Sequence, residues 1–322
     1  MTRLSGGFTR RDFLKTAAGA LACAGLLPVC AASCKSGFSR VKTAHARKRR
    51  AVELNPGVFV ARGTDPRALT LSAVRAAGGI EKLVRKGDRV VIKPNMSWDR
   101  APRQAATTNP DVVAALVELS LGAGAASVLV VDRPCNEARR TYEHSGVARA
   151  AERAGARVPL PDERRFVVIP IPDARVLKTC PVNRDVLEAD VFINVPIVKH
   201  HGYTRLTIGL KNLMGCAGGD RGFWHRDNLH QRIADIALAL PADLTVVDAF
   251  RVLTAHGPQG GHPDDVREVG AVAAAADPVA ADAFGASLLG ADPRGVDHIR
   301  IAHEMGLGEI DLSALTVEDF SV

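Results

Sequence analysis

Arg89-Val90-Val91-Ile92-Lys93-Pro94-Asn95 (residues 89–95) is a short apolar run that breaks into a cation, a proline and an amide. It reads as a buried strand ending in a polar, proline-fixed turn. The same grammar recurs on both sides of it. A helix is expected over Asp111 to Leu121, a strand over Ser127–Val131 and a helix over Val147–Ala154. Further strands are expected at Val167–Ile171, Val191–Val195 and Leu244–Val247, with helices at Leu229–Leu240 and Val279–Leu289. Such alternation predicts an α/β fold with a mainly parallel sheet flanked by helices. Low aromatic content (4%) beside abundant Ala, Val and Leu suits helices packed on short aliphatic strands. Pro159 to Pro181 has room for an antiparallel edge.

Open parallel sheets bind ligands outside the carboxyl ends of their strands, so the residues after each apolar run carry the functional reading. They are Lys93-Pro94-Asn95, Asp132-Arg133-Pro134, Lys199-His200-His201-Gly202 and Asp248. An ammonium beside an amide, as in Lys93 and Asn95, suits a carboxylate or phosphate, although the same residues serve in an ordinary strand-exit turn. Thr107 and Thr108 precede Asn109-Pro110, a helix cap and first-turn proline, and their hydroxyls and backbone amides are placed to bind an anion. Lys211-Asn212-Leu213-Met214-Gly215, the glycine-rich stretch to Gly222 and Trp224-His225 add one lysine, an amide, one further imidazole and a pliant backbone. Asp282 sits one turn into a small, apolar helix, where a carboxylate needs a partner or solvent.

The spacing lacks the His-x-x-x-His of a helical zinc site, so any metal must draw ligands from separate loops. No P-loop, dinucleotide glycine fingerprint, nucleophile elbow or zincin helix is present. Of the 42 Lys and Arg, eleven fall in residues 1–50 against one of the 35 Asp and Glu. The remaining 31 basic and 34 acidic residues leave a body that is slightly acidic. Nucleic acid is therefore not an expected partner, and aromatics for base stacking are few.

Thr9-Arg10-Arg11-Asp12-Phe13-Leu14-Lys15, followed by the apolar stretch Thr16 to Val29, resembles a bacterial twin-arginine export signal. The stretch is broken by Gly19, Gly25 and Pro28 and is shorter than the ~20 residues a spanning helix needs. Residues 1–35 are expected as the leader, 36–50 as a basic, solvated linker that includes Arg47-Lys48-Arg49-Arg50, and 51–322 as the α/β domain. The resemblance implies the twin-arginine export machinery as a partner, a periplasmic or cell-envelope location, and membrane contact at most through the leader. Cys30 and Cys34 are conceivable lipidation points, but neither preceding triplet makes a good lipobox. Cys135, Cys180 and Cys216 contain no Cys-x-x-Cys, which argues against an iron–sulfur cluster and leaves one disulfide open.

Taken in order, Ile92-Lys93-Pro94-Asn95, Ala106 to Pro110, Asn194-Val195-Pro196 with Lys199 and His201, Lys211 to Gly215, Trp224-His225, Val246 to Ala249, Asp277 to Asp282 and Gly306-Leu307-Gly308 resemble the DUF362 family. The resemblance covers roughly Val90 to Ile310. It implies an α/β domain, often behind a twin-arginine leader, and it makes His200 the bystander of the His pair. The family's own activity is not established. The residues support an exported, metal-assisted enzyme acting on a small carboxylate or phosphate. Lys93, Asn95, Thr107, Thr108, Lys199, Lys211, Asn212 and Gly215 would bind the anion. Asp132, His201 and Asp248 would hold a divalent ion, and His201, His225 and Asp282 would act catalytically. The alternative is a non-catalytic anion-binding or accessory protein of the cell envelope using the same basic rim.

Overall fold

Eleven strands form among the described residues of the computed structural model, which are 46–51 and 54–322, all within the unit Gly37–Val322. The leader, its twin arginines, Cys30 and Cys34 lie outside the described residues. The strands are β1 (Val58–Arg62), β2 (Arg89–Pro94), β3 (Ser127–Val130), β4 (Phe166–Pro170), β5 (Thr179–Asn183), β6 (Val191–Val195), β7 (Ile197–His201), β8 (Arg205–Thr207), β9 (Leu244–Leu253), β10 (Val266–Ala275) and β11 (Val317–Ser321). Nine of them make one mixed sheet in the order β11-β1-β10-β9-β6-β2-β3, with β7 pairing to β9 and β8 to β7. Pairings of β2 with β3 and β6, of β6 and β7 with β9, and of β1 with β11 are parallel. The sheet is mostly parallel, as the alternation predicts.

Side chains in a strand alternate between faces, and here that alternation divides the core in two. Val91, Phe192, Val247 and Ala273 join one apolar cluster with the helices Leu229–Ala239, Pro278–Leu288 and Asp297–Glu304. Their neighbours Val90, Ile92, Ile193, Val246 and Val272 join another with the helices Pro66–Ala76, Pro110–Gly122 and Val147–Arg153. The result is a sheet sandwiched between two helical layers. Among the described residues no helix is long and apolar enough to cross a membrane.

Three expectations need correction. The segment Pro159 to Pro181 supplies a separate two-stranded antiparallel sheet, β4–β5, rather than an edge of the main one. The strand expected at Leu244–Val247 runs on to Leu253, its first part pairing with β6 and its second with β7. In Arg47-Lys48-Arg49-Arg50, expected as a solvated linker, Lys48 and Arg49 are exposed but Arg47 and Arg50 are not. Arg47 is buried against Asp243 and donates to Pro241 O at 2.8 Å, while Arg50 forks onto Asp88 at 2.6 and 2.9 Å. Carboxylates at the amino ends of the parallel strands supply the attraction, so the folded unit begins before residue 51. Cys135, Cys180 and Cys216 are free thiols.

Candidate functional site

The polar floor of the site begins where β2 and β3 end. Lys93 Nζ lies 2.9 Å from Asp132 Oδ1 and also donates to Asn212 Oδ1 at 2.8 Å and Pro94 O at 2.6 Å. Both charges are almost fully buried. Asp132 accepts further bonds from Met96 N (2.7 Å) and Arg133 N (3.0 Å), so each of its oxygens is occupied. A buried pair holds together only when such extra hydrogen bonds satisfy it. Gly215 passes directly against this pair: a Cβ there would be 2.6 Å from Lys93 Cε and inside the radius of Asp132 Oδ1. Close approach, not backbone conformation, is why glycine stands at this position.

Asn212 is the hub of the floor. Its Oδ1 accepts from Lys93 and from Asn95 Nδ2 (3.2 Å), and its Nδ2 donates to Lys93 O (3.1 Å) and Asn194 Oδ1 (2.8 Å). The short helix Gly209–Asn212 that carries Lys211 and Asn212 is held from behind by Asp282. Asp282 Oδ1 accepts from Gly209 N at 2.7 Å and Oδ2 from Leu210 N at 3.1 Å. Burial pushes the Asp282 carboxyl up to about 8 against the opposing pull of those amides. It lies in the interior beneath the cleft floor, so its position is that of a support for the lysine-bearing turn.

Above this floor opens a cleft of about 700 Å³ at the carboxyl ends of β2 and β3. It is lined by Asn95, Lys199, His201, Lys211, Asn212, Gly215 and His225, together with Trp98, Cys135 and Arg221. Lys199 Nζ donates to Ala106 O (2.5 Å) and Asn95 Oδ1 (3.2 Å), and burial with the nearby Lys211 charge lowers it to about 7. Burial lowers Lys211 to about 8, with Cys135 opposing and Arg221 adding to the shift. Lys211 is half-buried, and its Nζ has no hydrogen-bond or ion-pair partner among the described residues. Arg221 donates to Met214 O and Pro134 O, both at 3.1 Å, and burial lowers it too.

The two imidazoles have complementary tautomers. His201 Nδ1 accepts from Tyr203 N (3.1 Å) and Thr204 N (3.3 Å), which leaves its proton on Nε2 as a donor. Burial, then the Lys211 and Lys199 charges, depress it to about 2, so the ring stays neutral. His225 Nδ1 faces Arg221 O at 3.3 Å, which places its proton there and a lone pair on Nε2. Burial and Lys211 lower this ring as well. The rings stack with centroids 6.3 Å apart.

Not every expected residue reaches the cleft. Lys93, Thr108 and Asp132 are the scaffold beneath it: Thr108 Oγ1 accepts from Asn95 N (2.8 Å) and donates to Val195 O (2.8 Å). Thr107 is buried with its hydroxyl unpaired and away from the cleft lining. Asp248 accepts from Asn109 N (2.7 Å) and Phe250 N (3.0 Å), and burial raises it to about 6. Asp132, His201 and Asp248 therefore do not fit a shared divalent ion: both carboxylates are spent on backbone amides, and no metal-binding group of three His, Cys, Asp or Glu occurs among the described residues. His200 Nδ1 accepts from Gly257 N at 3.1 Å, outside the cleft lining. Arg221, Cys135 and Trp98 were not expected. Arg221 had one signal, being the single basic residue of the glycine-rich stretch Gly215–Gly222.

The fold and site define a three-layer α/β protein with a cation-lined cleft at its strand ends. Residues 90–287 match the family described as domain of unknown function DUF362, and the chain belongs to that family. A thylakoid-associated protein of Synechocystis sp. is 30% identical over 209 residues, and the match spans 62% of this chain and 62% of that relative. Among solved structures, the lactate racemase apoprotein of Thermoanaerobacterium thermosaccharolyticum aligns at a TM-score of 0.48 and 14% identity, over 71% of this chain and 56% of that one. A Thermotoga maritima protein aligns at a TM-score of 0.39 and 13% identity, over 62% and 54%.

Proposed function

We propose that the protein is an enzyme acting on a small organic anion, a carboxylate or phosphate, bound in this cleft. The observation that carries the reading is the balance of charge around the cleft. Lys199, Lys211 and Arg221 line it, and the two acidic liners are already engaged: Glu163 pairs with Arg133 at 2.8 Å and Asp220 accepts from Phe223 N at 3.1 Å. An anion entering the cleft meets donors set over a buried polar floor, where each charge counts for more than at the open surface. His225 Nε2 is the base of the site and His201 Nε2–H its neutral donor, a pairing suited to moving a proton beside a bound anion. A resident divalent ion is not part of this reading, because Asp132 and Asp248 are committed elsewhere. The twin-arginine-like leader and the relative's thylakoid association support a place at or beyond a membrane.

Sulfate tests the charge argument without titrating itself in the useful range. A bound anion favours protonated Lys211, so sulfate affinity is expected to fall as pH rises through about 8, read by calorimetry or thermal shift between pH 6 and 9. Lys211→Met should weaken sulfate about tenfold or more, the scale of one charge-assisted hydrogen bond. A flat pH profile with an unaffected variant sinks the anion reading. Screening carboxylates and phosphates for turnover then separates enzyme from binder: His225→Ala is expected to abolish turnover while sulfate still binds. Binding without turnover by the wild type would favour the accessory role.

A further inference from the structure

Three lysines meet at this site, and two are spoken for. Lys93 is locked to Asp132 and Asn212, and Lys199 to Asn95 and Ala106. Lys211 alone of the three lines the cleft with its amine unengaged among the described residues. Its backbone is nonetheless fixed, by Asp282 at Gly209 and Leu210 and by the four bonds of the adjacent Asn212. A half-buried amine held in place, free of partners and beside other cations is the arrangement in which lysine becomes a nucleophile. Lys199 and Arg221 line the same cleft, where they can fix a carboxylate next to that amine.

We propose that Lys211 is the covalent nucleophile of this cleft and forms an imine with a 2-oxo acid. The inference rests on the anion-binding reading above and adds the substrate class and the reacting atom. Lys211 Nζ, as the neutral amine, adds to the C2 carbonyl carbon, and the carbonyl π pair passes to oxygen. His225 Nε2 takes a proton from the added nitrogen and, once protonated, delivers it to that oxygen, while the neutral His201 Nε2–H donates a hydrogen bond to it. The carbinolamine so formed keeps one N–H. His225 Nε2 then takes that remaining proton and passes it to the hydroxyl, which departs as water as the C–O bond breaks and the nitrogen lone pair closes C=N. One water leaves, and neither oxidant nor reductant is consumed. The cleft is large compared with pyruvate, so it accepts a 2-oxo acid with a side chain.

The test is reductive trapping on the full chain. Protein is incubated with pyruvate or 2-oxoglutarate and sodium cyanoborohydride, then analysed by intact mass and peptide mapping. One adduct is expected at Lys211, with the mass of the 2-oxo acid less one oxygen atom, and excess sulfate should suppress it. Lys211→Arg should give no adduct while keeping the wild-type melting temperature. Cys135, the neighbouring thiol, would form only a hemithioketal that leaves no stable reduced product, so trapping discriminates between the two nucleophiles. An adduct on Lys199, labelling scattered over surface lysines, or no adduct overturns the imine. If sulfate still binds in those cases, the anion-binding reading survives. If sulfate does not bind, that reading fails as well.

Discussion

Gly215→Ala is expected to lower the unfolding free energy by about 3–5 kcal/mol, the cost of disrupting a buried ion pair. The added Cβ would sit 2.6 Å from Lys93 Cε and 2.7 Å from Lys93 Nζ, and closer still to Asp132 Oδ1. None of these atoms has room to give. Asp132 is tied to Met96 N and Arg133 N, and Lys93 to Pro94 O and Asn212 Oδ1. Sulfate binding should be lost with it, because Asn212 and Asn95 depend on the same network. Gly122→Ala is the control: it lies at the end of the helix Pro110–Gly122 with nothing within 4 Å of the new methyl. It should be neutral or stabilising by up to ~1 kcal/mol. Equal urea midpoints for the two variants would refute the packing argument.

Asp282→Ala should cost about 2–6 kcal/mol, since it strands two buried amide donors at about 1–3 kcal/mol each. It should also weaken sulfate binding, because the Gly209–Asn212 turn carries Lys211. Asp282→Asn keeps one acceptor and should lose less. The Asn variant also tests the charge state. A carboxyl raised to about 8 in the folded protein holds a proton that the unfolded chain has released above its ordinary value of 3.8. Its contribution is therefore fully present below about pH 4 and is lost as pH rises through about 8. The stability of wild type relative to Asp282→Asn should decline over that window. Paired denaturation curves at pH 5 and pH 8 measure it, and a constant difference would mean that Asp282 is ionised throughout.

Much of the fold could be read from short-range pattern. Runs such as Val90-Val91-Ile92 and the capped start at Asn109-Pro110 carry their structure locally, and both appear where expected. β10 did not announce itself, because Ala271 to Ala275 has the composition of a helix. Burial on both faces between β1 and β9 makes it a strand. The rule that ligands gather at strand ends led to Asn95, Lys199, His201, Lys211, Asn212, Gly215 and His225, all of which line one cleft. It also led to Asp132 and Asp248, while Asp282 drew notice as a carboxylate inside an apolar helix. What separates the two groups is which backbone amides a carboxylate meets, and Met96 N for Asp132, Asn109 N for Asp248 and Gly209 N and Leu210 N for Asp282 belong to segments dozens of residues away.

The sequence alone determined the α/β layering, the membership of a family and the inventory of cations, amides and imidazoles. These depend on apolar periodicity and on residue type, which are local. Only the tertiary structure decided the division of labour among like residues. It paired Lys93 with Asp132, placed Lys199 between Asn95 and Ala106, and left Lys211 unengaged in the cleft. It also turned Arg47 and Arg50 from linker charges into anchors, the first buried and the second half-buried. The physical reason is the same in each case. A charge taken out of water must find a partner, and where the partners lie is a property of the packed chain rather than of its order.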